Sequence, residues 1–272
     1  MSNLFIKSDA LFRMLTEKKS VGLKLLYVGM GESAHKNFYT KSLPNANILD
    51  LHEFTENSPN LFTTPSPVLF NRMMKKLNIL ETNEVVFYNG ISTAKAWFIM
   101  KYYGHPSTRI LNGGIREWNE KGYPVNIHKS AIDYTTTKCT TFTAKEPKEE
   151  MLIDYTEVLE KIGKSDVQIV DVRTEDQYDS KEHNGKGHIP GAINIPYSEF
   201  YTQEGFLKEK DQINELVASA GLDKDKETIA YCHGGVTACI GYSAFEEVGF
   251  GKVRMYDGSW AEYSSKDETK DI

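Results

Sequence analysis

The residues best placed to do chemistry are Cys232 and the five that follow it, His233, Gly234, Gly235, Val236 and Thr237. Before them runs a short apolar segment, Ile229-Ala230-Tyr231, of the kind that makes a buried strand. After them Ile240, Ala244, Phe245 and Val248 recur at helical spacing. The thiol therefore sits where a strand runs out and a helix begins. The first turn of a helix leaves backbone N–H groups without partners and carries partial positive charge. A loop that curls its amides around one point makes an anion cradle. Glycines at 234 and 235 let the backbone take left-handed angles and approach the sulfur closely. The anion suited to that cradle is a thiolate, the nucleophilic form of cysteine. An isolated cysteine more often packs as a small hydrophobe; the strand–Cys–x–Gly–Gly–x–Thr–helix setting turns the reading toward function.

The rest of the chain must supply alternating strands and helices to hold that loop. An amphipathic helix is expected over residues 4 to 20, then a strand at Leu23–Val28 and a second short strand preceded by Pro44, Ala46, Ile48 and Leu49. A Pro/Asn/Thr-rich loop covers Asn57 to Pro67. Val68–Leu77 reads as a helix, Glu84–Tyr88 as a strand and Thr93–Tyr103 as a helix. From Val125 to about Pro147 threonine dominates and helical periodicity vanishes, which suggests an extended crossover holding an inert Cys139. The second half opens with a helix from Asp154 to Ile162, a strand at Val167–Val172, a polar loop from Arg173 to Gly187 and a strand at Ala192–Ile195. A helix over 209–220 and the strand that carries Tyr231 follow.

The halves repeat. Pro44 and Pro190 are 146 positions apart, as are Ala46 and Ala192; Tyr88 and Tyr231 are 143 apart, and Gly113 and Gly258 are 145 apart. Each half alternates strand and helix, so each is expected to be α/β, a parallel sheet flanked by helices on both faces. The repeat is not symmetric in chemistry. Asn89 follows Tyr88 where Cys232 follows Tyr231, and the first loop is shorter. The first half is therefore expected to be structural and to form one wall of a cleft.

Composition narrows the classes. The 272 residues are 40% apolar, enough for two packed domains, and the net charge is −6 with acids and bases interspersed. No dense basic tract points to nucleic acid or a membrane surface. No apolar run reaches the length of a membrane-spanning helix. Lys7, Asp9 and Arg13 interrupt any secretory core at the N-terminus. Three cysteines, Cys139, Cys232 and Cys239, are an odd and sparse set, which favours a reducing compartment. The cytoplasm is the expected location, with the mitochondrion as the alternative. Cys232 and Cys239 are seven apart, with no cysteine or histidine pair near them at zinc spacing, and neither metal nor organic cofactor is expected.

Three stretches carry a family resemblance. Cys232–Thr237 resembles the six-residue active-site loop of rhodanese-like sulfurtransferases. Tyr256-Asp257-Gly258-Ser259-Trp260 and Gly187-His188-Ile189-Pro190-Gly191-Ala192 are similar to two further landmarks of that family, in the same order. The resemblance spans nearly the whole chain. It implies a tandem protein, with an inactive rhodanese-like domain over 1–128, an extended linker over 129–149 and a catalytic rhodanese-like domain over 150–272. It also implies the chemistry: Cys232 takes sulfur from thiosulfate or 3-mercaptopyruvate, carries it as a persulfide, and gives it to cyanide, a small thiol or a protein thiol such as thioredoxin.

Around Cys232 the expected binding residues are His233, Gly234, Gly235, Val236 and Thr237, joined by Arg173 and Lys186, with Asp171 and His188 in support. Each has a plainer reading. Asp171 and Arg173 resemble the family's Asp-x-Arg and suit a local ion pair that fixes the strand end. His188 suits an anchor for its own turn. His233 sits inside the cradle and is a candidate to meet an anionic donor. Thr237 is read first as a helix cap, and Cys239 as packed. The donor is open. The loop lacks the Arg and Lys typical of thiosulfate users, and Gly234 replaces the serine typical of mercaptopyruvate users. Gln177 stands where a carboxylate-binding arginine is expected, and Lys186 offers only a point charge. Cysteine-dependent phosphatases need an arginine six residues after the nucleophile, and Ala238 stands there. The non-enzyme alternative is a sulfur-carrying or binding scaffold.

Overall fold

A computed structural model describes residues 4–17, 22–54, 62–127, 141–180 and 187–267. The chain forms two compact units, one of Met1–Glu56 and Thr64–Pro147, the other of Asn57–Thr63 and Lys148–Ile272.

The first unit holds strands β1 (Phe5–Ile6), β2 (Leu23–Gly29), β3 (Asn47–Asp50), β4 (Glu84–Tyr88) and β5 (Thr108–Leu111). Its helices are α1 (Ser8–Thr16), α2 (Gly31–Thr40), α3 (Pro67–Leu77), α4 (Thr93–Tyr102) and α5 (Gly114–Glu120). The sheet order is β1-β5-β4-β2-β3 and every pair is parallel. In the second unit the strands are β6 (Leu152–Ile153), β7 (Val167–Asp171), β8 (Ile193–Asn194), β9 (Glu227–Tyr231) and β10 (Lys252–Tyr256). Its helices are α6 (Tyr155–Lys161), α7 (Glu175–Tyr178), α8 (Lys210–Ser219), α9 (Ala238–Glu247) and α10 (Ser259–Asp267). Its order, β6-β10-β9-β7-β8, is again all parallel and repeats the first sheet strand for strand.

Helix crossovers cover both faces of such sheets, so the central strands read as apolar runs. All five residues of β9 are buried. The equivalent tyrosines do equivalent work. Tyr88 Oη accepts the Leu43 N–H at 3.1 Å, and Tyr231 Oη accepts the Ile189 N–H at 3.1 Å. Each thereby pins the turn before an edge strand to the end of the central strand. Burial, and then the Asp171 carboxylate, push the Tyr231 phenol far above its ordinary range, so it stays neutral.

Two expectations need correction. The helix expected over 4–20 is shorter, because Phe5 and Ile6 leave it to pair with Ile110 and Leu111 on β5. The loop expected over 173–187 contains a helical turn, α7. Thr174 and Gln177 nucleate it as a capping box, each side chain taking the other's backbone N–H. The tail of the expected linker is fastened to the first unit: the Phe142 N–H donates to Ile79 O at 2.7 Å and the Lys145 N–H to Tyr103 O at 3.2 Å. The rest of that linker, including Cys139, and Lys186 lie outside the described residues. No helix among the described residues is long and apolar enough to cross a membrane.

Candidate active site

β9 is flanked by β7 and β10, and Cys232 is the first residue beyond its carboxyl end. Ligands in open parallel α/β sheets bind at that end. The chain then turns through residues 233–237 into α9, with the Cys239 N–H donating to Val236 O and the Ile240 N–H to Thr237 O at 3.2 and 2.9 Å. His233 is exposed, Gly234 and Gly235 are buried, and Val236 and Thr237 are half-buried.

Cys232 is 2% exposed. Two polar groups among the described residues meet the sulfur. The Gly235 N–H donates to Cys232 Sγ at 3.2 Å, and Ser259 Oγ lies 3.9 Å from Sγ. Gly235 reaches the sulfur because its φ is +83°, left-handed backbone that side-chain-bearing residues avoid. An added Cβ there would meet the Asp257 carbonyl at 2.8 Å and the Phe62 carbonyl at 3.2 Å, backbone atoms that cannot swing aside. Gly235→Ala is therefore expected to cost about 2–3 kcal/mol of stability, combining left-handed strain with the clash. Displacing the N–H from the sulfur should lower kcat/KM about 10²-fold, in line with loss of one oriented donor. Urea unfolding and initial rates measure the two effects.

Ser259 was visible in the sequence only as part of a landmark, with no role attached. In the fold it opens α10 with φ +53° and is fully buried. Its Oγ accepts the Cys232 N–H at 3.3 Å and donates to Tyr256 O at 2.9 Å. The Trp260 N–H donates to Cys232 O at 3.0 Å and the Ala261 N–H to His233 O at 2.9 Å. The first turn of α10 thus clamps the start of the cysteine loop. Ser259→Ala orphans a buried N–H, and a loss of about 1–3 kcal/mol is expected in urea unfolding. A signal existed: a Ser directly after Gly at a strand–helix junction is a common start residue for a helix.

Arg173 is 4% exposed and Asp171 is fully buried. The guanidinium grips the carboxylate from two nitrogens, with Nη2 to Oδ2 at 2.6 Å and Nε to both oxygens at 3.0 Å. Nη2 also donates to Gly187 O at 2.7 Å, and the group lies 4.5 Å from the Trp260 ring centroid. This corrects the expectation of Arg173 as a donor-binding residue. Its fork is committed to Asp171, so it splints the end of β7 to the 187–191 turn and to α10. His188 likewise anchors its turn. Its Nδ1 is 3.0 Å from Tyr178 O, and its ring stacks on Tyr178 at 3.7 Å.

Thr237 does not cap α9. Its φ and ψ of −73° and −18° are already helical and its side chain makes no capping bond. A cap needs extended backbone at that residue to carry the oxygen over the following amides. Cys239 is packed, its Sγ 3.2 Å from Met255 Sδ and 3.7 Å from Gly235 O. A cavity of about 640 Å³ is lined by Asp257 and Gly258, but Glu149, Asp154, Glu157 and Glu262 also line it, against the single cation Arg254. That charge makes it a poor seat for an anionic donor.

The rhodanese-like domain family matches residues 154–266. The thiosulfate sulfurtransferase of Gallus gallus is 30% identical over 255 residues, spanning 89% of this chain and 86% of that protein. The Bos taurus thiosulfate sulfurtransferase is 29% identical over 262 residues, 90% of this chain and 86% of that one. Among solved structures, the 3-mercaptopyruvate sulfotransferase SseA of Escherichia coli superposes with a TM-score of 0.83 at 22% identity, covering 96% of this chain and 100% of that one.

Proposed function

The chain belongs to the rhodanese-like sulfurtransferases, and we propose that it moves sulfane sulfur from a small donor to a thiophilic acceptor through a persulfide on Cys232. The observation that carries this reading is the Gly235 N–H on Cys232 Sγ at the carboxyl end of the central strand. With thiosulfate, the Cys232 thiolate attacks the outer sulfur, the S–S bond of the donor breaks, and sulfite leaves with the electron pair. Cys232 then holds S–S⁻. A second sulfur adds about 2.05 Å beyond Sγ, where the other amides of the 233–237 loop can join the Gly235 N–H in stabilising its charge. Cyanide attacks the outer sulfur, leaves as thiocyanate and returns the thiolate. A thiol acceptor, thioredoxin included, would leave as its own persulfide. With 3-mercaptopyruvate the leaving group is the pyruvate enolate, which takes a proton from solvent.

The names of the Gallus gallus and Bos taurus relatives make thiosulfate the first donor to test. Arg173 being committed to Asp171, anion recognition falls to the loop amides and His233, with Lys186 a further candidate. The test is intact mass. Protein mixed with either donor should gain one sulfur atom on Cys232 and lose it on addition of cyanide. Failure to gain sulfur from either donor would return the chain to a binding scaffold.

A further inference from the structure

The first unit gathers a second set of chemically capable side chains. His35 lies on α2, Asp50 ends β3, and His52 and Glu53 sit on the 3-10 turn Leu51–Phe54 that follows. One ligand atom each from His35, Asp50 and Glu53 fall within 4.8 Å of one another. His35 Nε2 is 3.0 Å from Asp50 Oδ2, and His52 Nδ1 is 4.0 Å from Asp50 Oδ1. An ion with bonds of about 2.0–2.2 Å holds tetrahedral ligands roughly 3.3–3.6 Å apart, so side-chain shifts of about an ångström bring the group to that size.

Backbone N–H groups already orient the Asp50 carboxylate. The Gly31 N–H reaches both Asp50 oxygens, at 3.0 and 3.1 Å, and the His52 N–H reaches Oδ1 at 3.0 Å. Those contacts suffice to tie β3 to the start of α2. His35, Glu53 and His52 come to the same corner in addition to that tie. Gly31, at φ +67°, leaves room for this: a Cβ there would meet His52 Nδ1 at 3.1 Å. Asp50 is buried while His35, His52 and Glu53 are each a third or more exposed, so an ion can enter from solvent.

We propose that His35, Asp50, His52 and Glu53 form a divalent transition-metal site of the zinc class. Mixed imidazole and carboxylate donors suit zinc or cobalt, whereas magnesium and calcium take oxygen ligands. Two neutral imidazoles and two carboxylates balance the ion's charge. On binding, the ion takes the Nε2 lone pair of His35, whose ring stays neutral with its proton on Nδ1. Lys76, paired with Glu53 on the surface, is released.

Chelator-treated protein titrated with Zn²⁺ or Co²⁺ by calorimetry should take up one ion per chain here. The Co²⁺ complex should absorb in the visible without a thiolate-to-cobalt charge-transfer band, which separates this site from the cysteines. His35→Ala and, on the exposed turn, Glu53→Gln should each weaken binding at least about tenfold. No stoichiometric uptake, binding indifferent to both substitutions, or a thiolate signature would overturn the assignment.

Discussion

Cys232→Ser should leave the protein folded and reduce sulfur transfer by about 10⁴-fold or more in kcat/KM. The sulfur's polar neighbours are the Gly235 N–H and Ser259 Oγ. Neither is a base, so a hydroxyl at this position has nothing to take its proton and remains a poor nucleophile. The substitution removes little volume and keeps both backbone contacts of residue 232, to Ser259 Oγ and from the Trp260 N–H. Thermal melting should therefore be nearly unchanged while the one-sulfur mass gain disappears. Retention of more than a few per cent of the rate would place the nucleophile elsewhere and end the Cys232 proposal.

Arg173→Ala is expected to be the most damaging single change to the second unit, at about 3–5 kcal/mol. The cost comes from what stays behind. Asp171 is fully buried, and without the guanidinium its carboxylate is left with the residue 173 backbone N–H, at 2.9 Å, and the neutral Tyr231 hydroxyl, neither of which offsets its charge. The same change uncovers Gly187 O and the face of Trp260. Arg173→Lys should recover little, because an ammonium cannot reproduce the two-nitrogen grip. Urea unfolding monitored at Trp260 reads the loss. A change under about 1 kcal/mol would mean that the buried pair is nearly balanced by its desolvation.

Much of this was legible. The switch from a strand-like run to helical spacing at Cys232 located the site, and the offsets near 145 located the repeat that the two sheet orders then express. What escaped had physical causes. β1 and β6 are two residues each, too short to show any period, and exist because longer neighbours pair with them. α7 is four residues long and betrayed only by its Thr174–Gln177 box. Ser259 comes near Cys232 from 27 positions away through β10 and α10, a proximity no local pattern encodes. Arg173 carried two readings from its Asp-x-Arg setting, a binding residue and a local ion pair, and the fold makes the ion pair with Asp171. Thr237 was expected to cap because of its type, but the tight turn fixes it in helical backbone.

The Phe62 N–H donates to Gly234 O at 2.9 Å, and the Phe62 carbonyl stands close to Gly235. A strut for the nucleophile's loop is thus encoded 170 positions upstream of it. Expressing Lys148–Ile272 as a free-standing module would keep every strand of that sheet and still drop this strut. Such a truncated product should fold, carry sulfur sluggishly, and regain speed when a short peptide spanning Phe62 and Thr63 is supplied in trans.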